Sequence, residues 1–385
     1  MMWTEKTMLR IPGPTPIPPR VVHAMGTPMI GHRSGAFSNL LVQVSEELKP
    51  IFGTKENVYI LTGSGTSGLE TAVVNAIAPG EEVAVIVTGS FGDRFAKINE
   101  KFGITTHRLD LEWGKACTPE LLASFLDQHP QVSAVFATYC ETSTGVLNPV
   151  DQLAKVVKEK TDALFIVDGV SCLGAVPCKM DHWGIDVLVT GSQKALMLPP
   201  GLAFIAASQK AWDKIESNPR PRFYLDMVAY RKNYEKETSP YTPAVSLIFG
   251  LREVLQMIKE EGLEEIVNRH EIMKEMTRAG IKALNLPLLA EDQYASPTVT
   301  AIANCPRYDS EELRKILRTK HNLVLAGGQN HLKGKIFRIG HMGYCDASDV
   351  LITLSLIELA LTQLNVSIEL GKGVKAAQEV LLQYV

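Results

Sequence analysis

Residues 58–80 read VYILTGSGTSGLETAVVNAIAPG, and the fold is decided there. Val58–Leu61 is a short apolar run of strand type. Leu69, Val73, Ala76 and Ile77 then share one face of a helix that stops at Pro79-Gly80. Between strand and helix stands a turn of small residues, Thr62-Gly63-Ser64-Gly65-Thr66-Ser67-Gly68. The order recurs downstream. Apolar runs return at Val83–Val87, Val132–Ala137, Ala163–Val167, Val187–Val189 and Leu202–Ala206, and Phe95, Ile98 and Phe102 keep helical spacing. Strands alternating with helices predict an α/β fold whose mostly parallel sheet is covered on both faces. Ligands of such sheets bind beyond the carboxyl ends of the strands.

Beyond Arg220 the pattern changes. Pro219–Pro243 reads as irregular, rich in Pro, Tyr and charge. Long helical patterns follow at Val245–Glu261 and Leu263–Leu284, then strands at Val299–Ala303 and Ile336–Ile339, then helices from Ala347 onward. A chain of 385 residues suggests two domains at roughly 150 residues each. We expect an N-terminal arm (1–20), a large domain (21–258) and a smaller α+β domain (259–385). A net charge of −3 excludes a basic nucleic-acid surface as the default reading. No apolar run reaches the roughly 18 residues of a membrane helix. Met1–Arg10 lacks the apolar core of a secretory signal, and Gln383-Tyr384-Val385 matches no targeting address. Six scattered cysteines without a CxxC pair argue against a disulfide framework and a zinc site, so no metal is expected. A cytoplasmic enzyme is the expectation.

Three strand ends carry candidate chemistry. In the glycine turn, backbone N–H groups can approach an anion and the next helix adds its dipole. Gly63, Gly65 and Gly68 also fit GxGxxG, but the following strand ends Val87-Thr88-Gly89-Ser90, without the acid that a dinucleotide ribose needs. A P-loop lysine is missing too. A single-phosphate site or a plain glycine turn remains. Asp168 follows Ala163–Val167, either as a partly desolvated acid facing a cationic group or as a helix cap. Lys194, in Gly191-Ser192-Gln193-Lys194, stands in a small-residue loop where a solvated surface lysine is hard to explain; buried lysines lose protons readily and form Schiff bases. Together, a phosphate cradle, an acid and a lysine suit pyridoxal 5′-phosphate.

The chain resembles the class V aminotransferases of fold type I, in the alanine–glyoxylate and serine–pyruvate branch. It is especially similar to cyanobacterial and other bacterial members, some of which carry an old hydrogenase-subunit label. The resemblance runs nearly end to end, through IPGPTPIPPRV (11–21), PMIGHRSGAF (28–37), TGSGTSGLE (62–70), GSFGDR (89–94), ETSTGVLNP (141–149), VDGVSCLGA (167–175), TGSQKALMLPPG (190–201), SPYTPAVSL (239–247) and GKIFRIGHMG (334–343). It implies a large domain with a seven-stranded sheet and a small C-terminal domain. Lys194 matches the lysine that holds the cofactor covalently, and Asp168 the acid that keeps the pyridine nitrogen protonated. Val170 and Phe91 match the residues on the two ring faces, Phe91 standing where some relatives have tryptophan. Thr142 matches the hydroxyl at the phenolic oxygen. Ser64, Gly65, Thr66 and Gln193 match the phosphate cup, although animal members have histidine at the position of Thr66. Thr242 matches a residue reaching the phosphate from the other subunit, with Tyr241 beside it, so the resemblance implies a homodimer. Arg338 matches the arginine that grips the substrate α-carboxylate, through a planar fork suited to two parallel hydrogen bonds.

The implied reaction is ping-pong transamination, with alanine or serine as donor and glyoxylate or pyruvate as acceptor. Arg33, in Gly31-His32-Arg33-Ser34, could read the substrate side chain and admit aspartate, or pair elsewhere. 2-Aminoethylphosphonate transaminase is the nearest rival. Cysteine desulfurases share the fold but place histidine before the lysine, where this chain has Gln193; of the six cysteines, Cys345 is a poor candidate for their reactive thiol. A hydrogenase-associated subunit would need no intact lysine site, and no iron–sulfur or nickel cysteine pattern is present. An NAD-dependent dehydrogenase is opposed by the missing ribose acid.

Overall fold

In the computed structural model, which describes residues 7–384, every one of those apolar runs lies in a single sheet. Residues 1–6 of the expected arm and Val385 fall outside the description. The strands are β1 (Val58–Gly63), β2 (Glu82–Val87), β3 (Thr105–Asp110), β4 (Ala134–Thr138), β5 (Leu164–Asp168), β6 (Val187–Gly191) and β7 (Gly201–Ala207). Their order is β1-β7-β6-β5-β4-β2-β3. All neighbours are parallel except β7, which runs antiparallel to both β1 and β6.

Alternation along the strands feeds two cores. Ile60, Ile86, Val135, Phe165, Val167, Leu188 and Phe204 pack on one face with the helices Gly35–Phe52, Val150–Lys160 and Val245–Glu261. Tyr59, Leu61, Val85, Phe136, Ile166, Val189 and Ile205 pack on the other with Gly65–Ala76, Ser90–Lys101 and Gln209–Ser217. Successive side chains point to opposite faces, so a strand buried on both reads as a continuous apolar run. β3, TTHRLD, has no such run because it lies at the sheet edge with its residues intermediate or exposed.

Pro219–Pro243 differs from the expectation. It contains a helix, Met227–Tyr234, started by Asp226, whose side chain accepts from Val228 N at 3.1 Å. Tyr234 closes it onto the sheet by accepting from Ile60 N at 2.8 Å. The polar composition hides this helix because only Met227 and Tyr230 are fully buried.

A second sheet of four strands forms from Met8–Arg10 and from β8 (Val299–Ala303), β9 (Leu323–Gly327) and β10 (Ile336–Gly340). Met8–Arg10 pairs in parallel with Leu323–Leu325, and β10 lies antiparallel between β9 and β8. Its own core holds Met273, Met276, Phe337, Leu354 and Ile357. The long helix Val245–Glu261 ends at Gly262, and Leu263–Ala283 begins beyond it. Among the described residues, no helix is long and apolar enough to cross a membrane.

Candidate active site

Lys194 lies in the turn after β6. Ser192 shapes that turn: its hydroxyl donates to Pro199 O at 2.7 Å and accepts from Leu202 N at 3.1 Å, so the chain folds back at once into β7. The lysine is thrust inward. Its Nζ donates to Pro12 O at 2.6 Å, and burial lowers its pKa to about 8. The N-terminal segment is fitted to it, since a Cβ on Gly13 would lie 2.6 Å from Nζ.

Asp168 ends β5, one strand away, and is 3% exposed. Its carboxylate accepts from Val170 N at 2.8 Å, and burial raises its pKa to about 6. The Val170 side chain occupies the space that a Cβ on Gly65 would need, 2.9 Å away, so the turn after β5 closes against the turn after β1. Thr142 joins the group by donating to Ser171 Oγ at 2.6 Å. Arg338, on β10 of the small sheet, reaches in. Nη1 donates to Thr142 O at 2.8 Å and Nε to Gly327 O at 2.9 Å. It is 5% exposed, burial lowers its pKa to about 10, and none of the ion pairs among the described residues includes it. A buried guanidinium bonded only to carbonyls has capacity left for an anion.

The cradle stands at the start of helix Gly65–Ala76. Ser64 is its N-cap, yet its side chain makes no cap hydrogen bond. The first N–H groups, of Gly65 and Thr66, have no intrahelical acceptor, as in any first turn. A Cβ on Gly191 would stand 3.4 Å from Gly65 Cα and 3.1 Å from Gln193 Oε1, so the bare glycine leaves the hollow its room. Gln193 Oε1 is buried without a hydrogen-bond partner among the described residues. Arg94, which the sequence reading did not single out, has its guanidinium 4.8 Å above the Phe91 ring and reaches Thr66 Oγ1 at 3.5 Å.

Glu141 was also missed. Fully buried, it accepts from Phe91 N at 3.0 Å, Gly92 N at 3.0 Å, Ser143 N at 3.1 Å and Ser143 Oγ at 2.5 Å. Burial raises its pKa while these donors oppose the rise. It therefore fixes the start of helix Ser90–Lys101, which carries Phe91, to the turn that carries Thr142. A side chain at Gly89 would collide with its carboxyl group. Its one sequence signal is adjacency to Thr142, because nothing local marks an acid that caps a helix far along the chain.

Arg33, Tyr241 and Thr242 form a separate group. Arg33 donates to Thr238 Oγ1 at 2.8 Å and to the Ser239 carbonyl. Tyr241 donates to Phe223 O at 2.6 Å and stacks on Tyr224, 5.1 Å between centroids. Thr242 is exposed, and two residues on Ala244 N donates to Thr62 Oγ1 at 3.0 Å. Among the described residues, this group makes no hydrogen bond to Lys194, Asp168 or Arg338.

The hollow fits pyridoxal 5′-phosphate. Helix N–H groups suit a phosphate, an inward amine suits an aldehyde, and a buried acid suits a pyridinium N–H. The aminotransferase class-V family pattern matches residues 8–351. An uncharacterized aminotransferase of Methanocaldococcus jannaschii is 46% identical, over 98% of each chain. A protein of Synechococcus named soluble hydrogenase, small subunit, is 44% identical over 98% of this chain and 99% of its own. The L-aspartate–glyoxylate aminotransferase of Paracoccus denitrificans is 34% identical, over 98% and 96%. The crystal structure of ureidoglycine–glyoxylate aminotransferase from Bacillus subtilis superposes with a TM-score of 0.93 at 32% identity, covering 99% of both chains. With sequence, fold and site in agreement, the chain belongs to the class-V aminotransferases.

Proposed function

We propose that this enzyme depends on pyridoxal phosphate and moves an amino group from alanine or serine to glyoxylate or pyruvate, by a ping-pong route, as a cytoplasmic homodimer. The observation that carries the reading is a buried Lys194 amine and a buried Asp168 on adjacent strand ends, with Arg338 lacking a carboxylate partner. Glyoxylate as acceptor draws support from the names of the Paracoccus and Bacillus relatives.

When bound, pyridoxal phosphate supplies an aldehyde that condenses with amines and a ring that accepts electrons. The chain's own groups do the rest. Ser64, Gly65, Thr66 and Gln193 hold the phosphate, joined by Thr242 and Tyr241 of the second subunit. Val170 and Phe91 would cover the ring faces, Thr142 would turn its hydroxyl from Ser171 to the phenolic oxygen, and Asp168 would keep a proton on the ring nitrogen. Arg338 orients the amino acid through its α-carboxylate. Lys194 Nζ, its pKa lowered to about 8, takes the proton from the substrate α-carbon as a general base poised near the operating pH. The 2-oxo acid leaves before the second binds, so one arginine serves both substrates in turn. Arg33 is bonded to Thr238 and Ser239 and is proposed to act on substrate choice through the 238–242 segment rather than by gripping a second carboxylate. That favours small neutral donors over aspartate.

Borohydride reduction of the yellow protein, followed by peptide mapping, tests the core of this reading. The label should fall on Lys194, and Lys194→Ala should keep the fold while losing covalent cofactor and transamination. A label on another lysine would overturn it. Half-reactions with a panel of amino acids test the donors.

A further inference from the structure

We propose that the Pro12 carbonyl is the docking acceptor for the Lys194 amine whenever that amine is free, and that residues 11–15 hold it in register with Arg338. The proposal rests on the reading of Lys194 as the cofactor lysine. Lys194 Nζ donates to Pro12 O at 2.6 Å. At the next residue, Gly13 adopts φ +130, and a Cβ there would lie 2.6 Å from Nζ and 2.7 and 2.8 Å from Cδ and Cε. The lysine thus runs against bare backbone along its outer half. Thr15 grips the other end: its N–H donates to Gln193 O at 3.1 Å and its hydroxyl to Lys194 O at 3.0 Å. The same segment leaves the small sheet at Arg10, opposite Leu325, and the Ile11 carbonyl fills the space over Gly340, on the strand of Arg338. Five consecutive residues therefore tie both ends of the lysine to the sheet that carries the arginine.

Chemistry explains why a carbonyl is suited to the task. It accepts N–H from an ammonium or from a neutral amine, but it takes no proton at working pH. An amine donating one N–H to Pro12 O turns its second N–H and its lone pair away from that carbonyl, so the lone pair points into the site without a competing base. Mispositioning a reacting group by about an ångström is enough to cost about a hundredfold in rate.

The test compares the wild-type apoenzyme with Gly13→Ala and Thr15→Val. Gly13→Ala displaces the amine by occupying its place; Thr15→Val releases the lysine backbone without altering the glycine. Covalent capture of added pyridoxal phosphate is followed by absorbance. Acylation of Lys194 by acetic anhydride is followed by peptide mass spectrometry, with the other lysines as internal reference. Capture should slow about tenfold or more in Gly13→Ala and about threefold in Thr15→Val, while relative acylation of Lys194 stays within about twofold. Capture at the wild-type rate in Gly13→Ala, or in Thr15→Val should the first variant not fold, overturns the proposal. So does slowed capture with sharply increased acylation, which marks an opened site instead of a misplaced amine. Wild-type protein that captures no cofactor on Lys194 would instead overturn the reading on which the proposal rests.

Discussion

Asp168 and Lys194 are both pushed towards neutrality by burial, and each bears a cost for its place in the site. Asp168 titrates near 6 in the folded chain and near its ordinary 3.8 when unfolded. The folded state then holds the extra proton, so this group's stabilising contribution is complete below about 3.8 and lost as pH rises through about 6. Ionised Asp168 therefore costs the apoprotein about 3 kcal/mol at most above that range. Asp168→Asn should raise the apoprotein's melting temperature at pH 7.5, and the gain should vanish near pH 4. In the same variant turnover should fall by about 3–4 kcal/mol, because a neutral partner does not hold the ring proton. Unchanged melting would show Asp168 to be compensated already. Arg338→Ala should weaken alanine, serine and aspartate alike, by about 1.5–3 kcal/mol in kcat/KM. Loss confined to one donor would make it a side-chain reader. These residues were legible because strand-end position and side-chain type coincide at 168 and 194. Glu141 and Arg94 were not, since their work is to connect parts of the chain that only folding brings together.

Elements were legible in proportion to their burial. Strands covered on both faces appear as apolar runs, whereas the exposed and intermediate positions of β3 dilute the signal. The turn from Gly89 to Gly92 shows what a single buried group does for an element. Glu141→Gln keeps the size but removes a charge from the start of helix Ser90–Lys101 and turns an NH2 towards N–H donors. It should cost about 1–3 kcal/mol in unfolding free energy and loosen cofactor retention through Phe91. Equal cofactor affinity in both proteins would confine Glu141 to folding. The 238–242 segment is tested by dilution. If Thr242 completes the neighbouring subunit's phosphate cup, cofactor loss should accompany dissociation, and Arg33→Ala should hasten both. A monomer in sedimentation that keeps full activity would sink the shared site.

On the scale of the whole molecule, two buried histidines tie helix Leu263–Ala283 and the start of β8 to the loop after β10. His270 donates through Nδ1 to Ile266 O and accepts from Gly343 N; His341 donates to Pro297 O and accepts from Thr300 Oγ1. Burial lowers their pKa values to about 3 and about 4. Both are neutral in the fold, and the unfolded chain binds the extra protons below about pH 6.5, so stability falls as pH drops from there towards 4. Asp168 acts in the opposite sense over part of that window, and two histidines outweigh it. Thermal unfolding from pH 7 to 4 should show a steady decline; a flat profile would mean that the imidazoles take up protons in the fold as readily as in the unfolded chain. A second sheet could be anticipated in part from the change of pattern after Arg220, but the pairing of Met8–Arg10 with Leu323–Leu325 could not, because nothing local to three residues records so distant a partner. That pairing orders events during synthesis. Met8–Arg10 meets its sheet partner only after β9 emerges, so the seven-stranded sheet can condense while the segment bearing Pro12 still waits. Contacts of such separation form late and slowly. The newborn chain thus holds a folded glycine cradle before it has a finished place for its lysine, and competence to capture the cofactor should arrive as the last step of maturation.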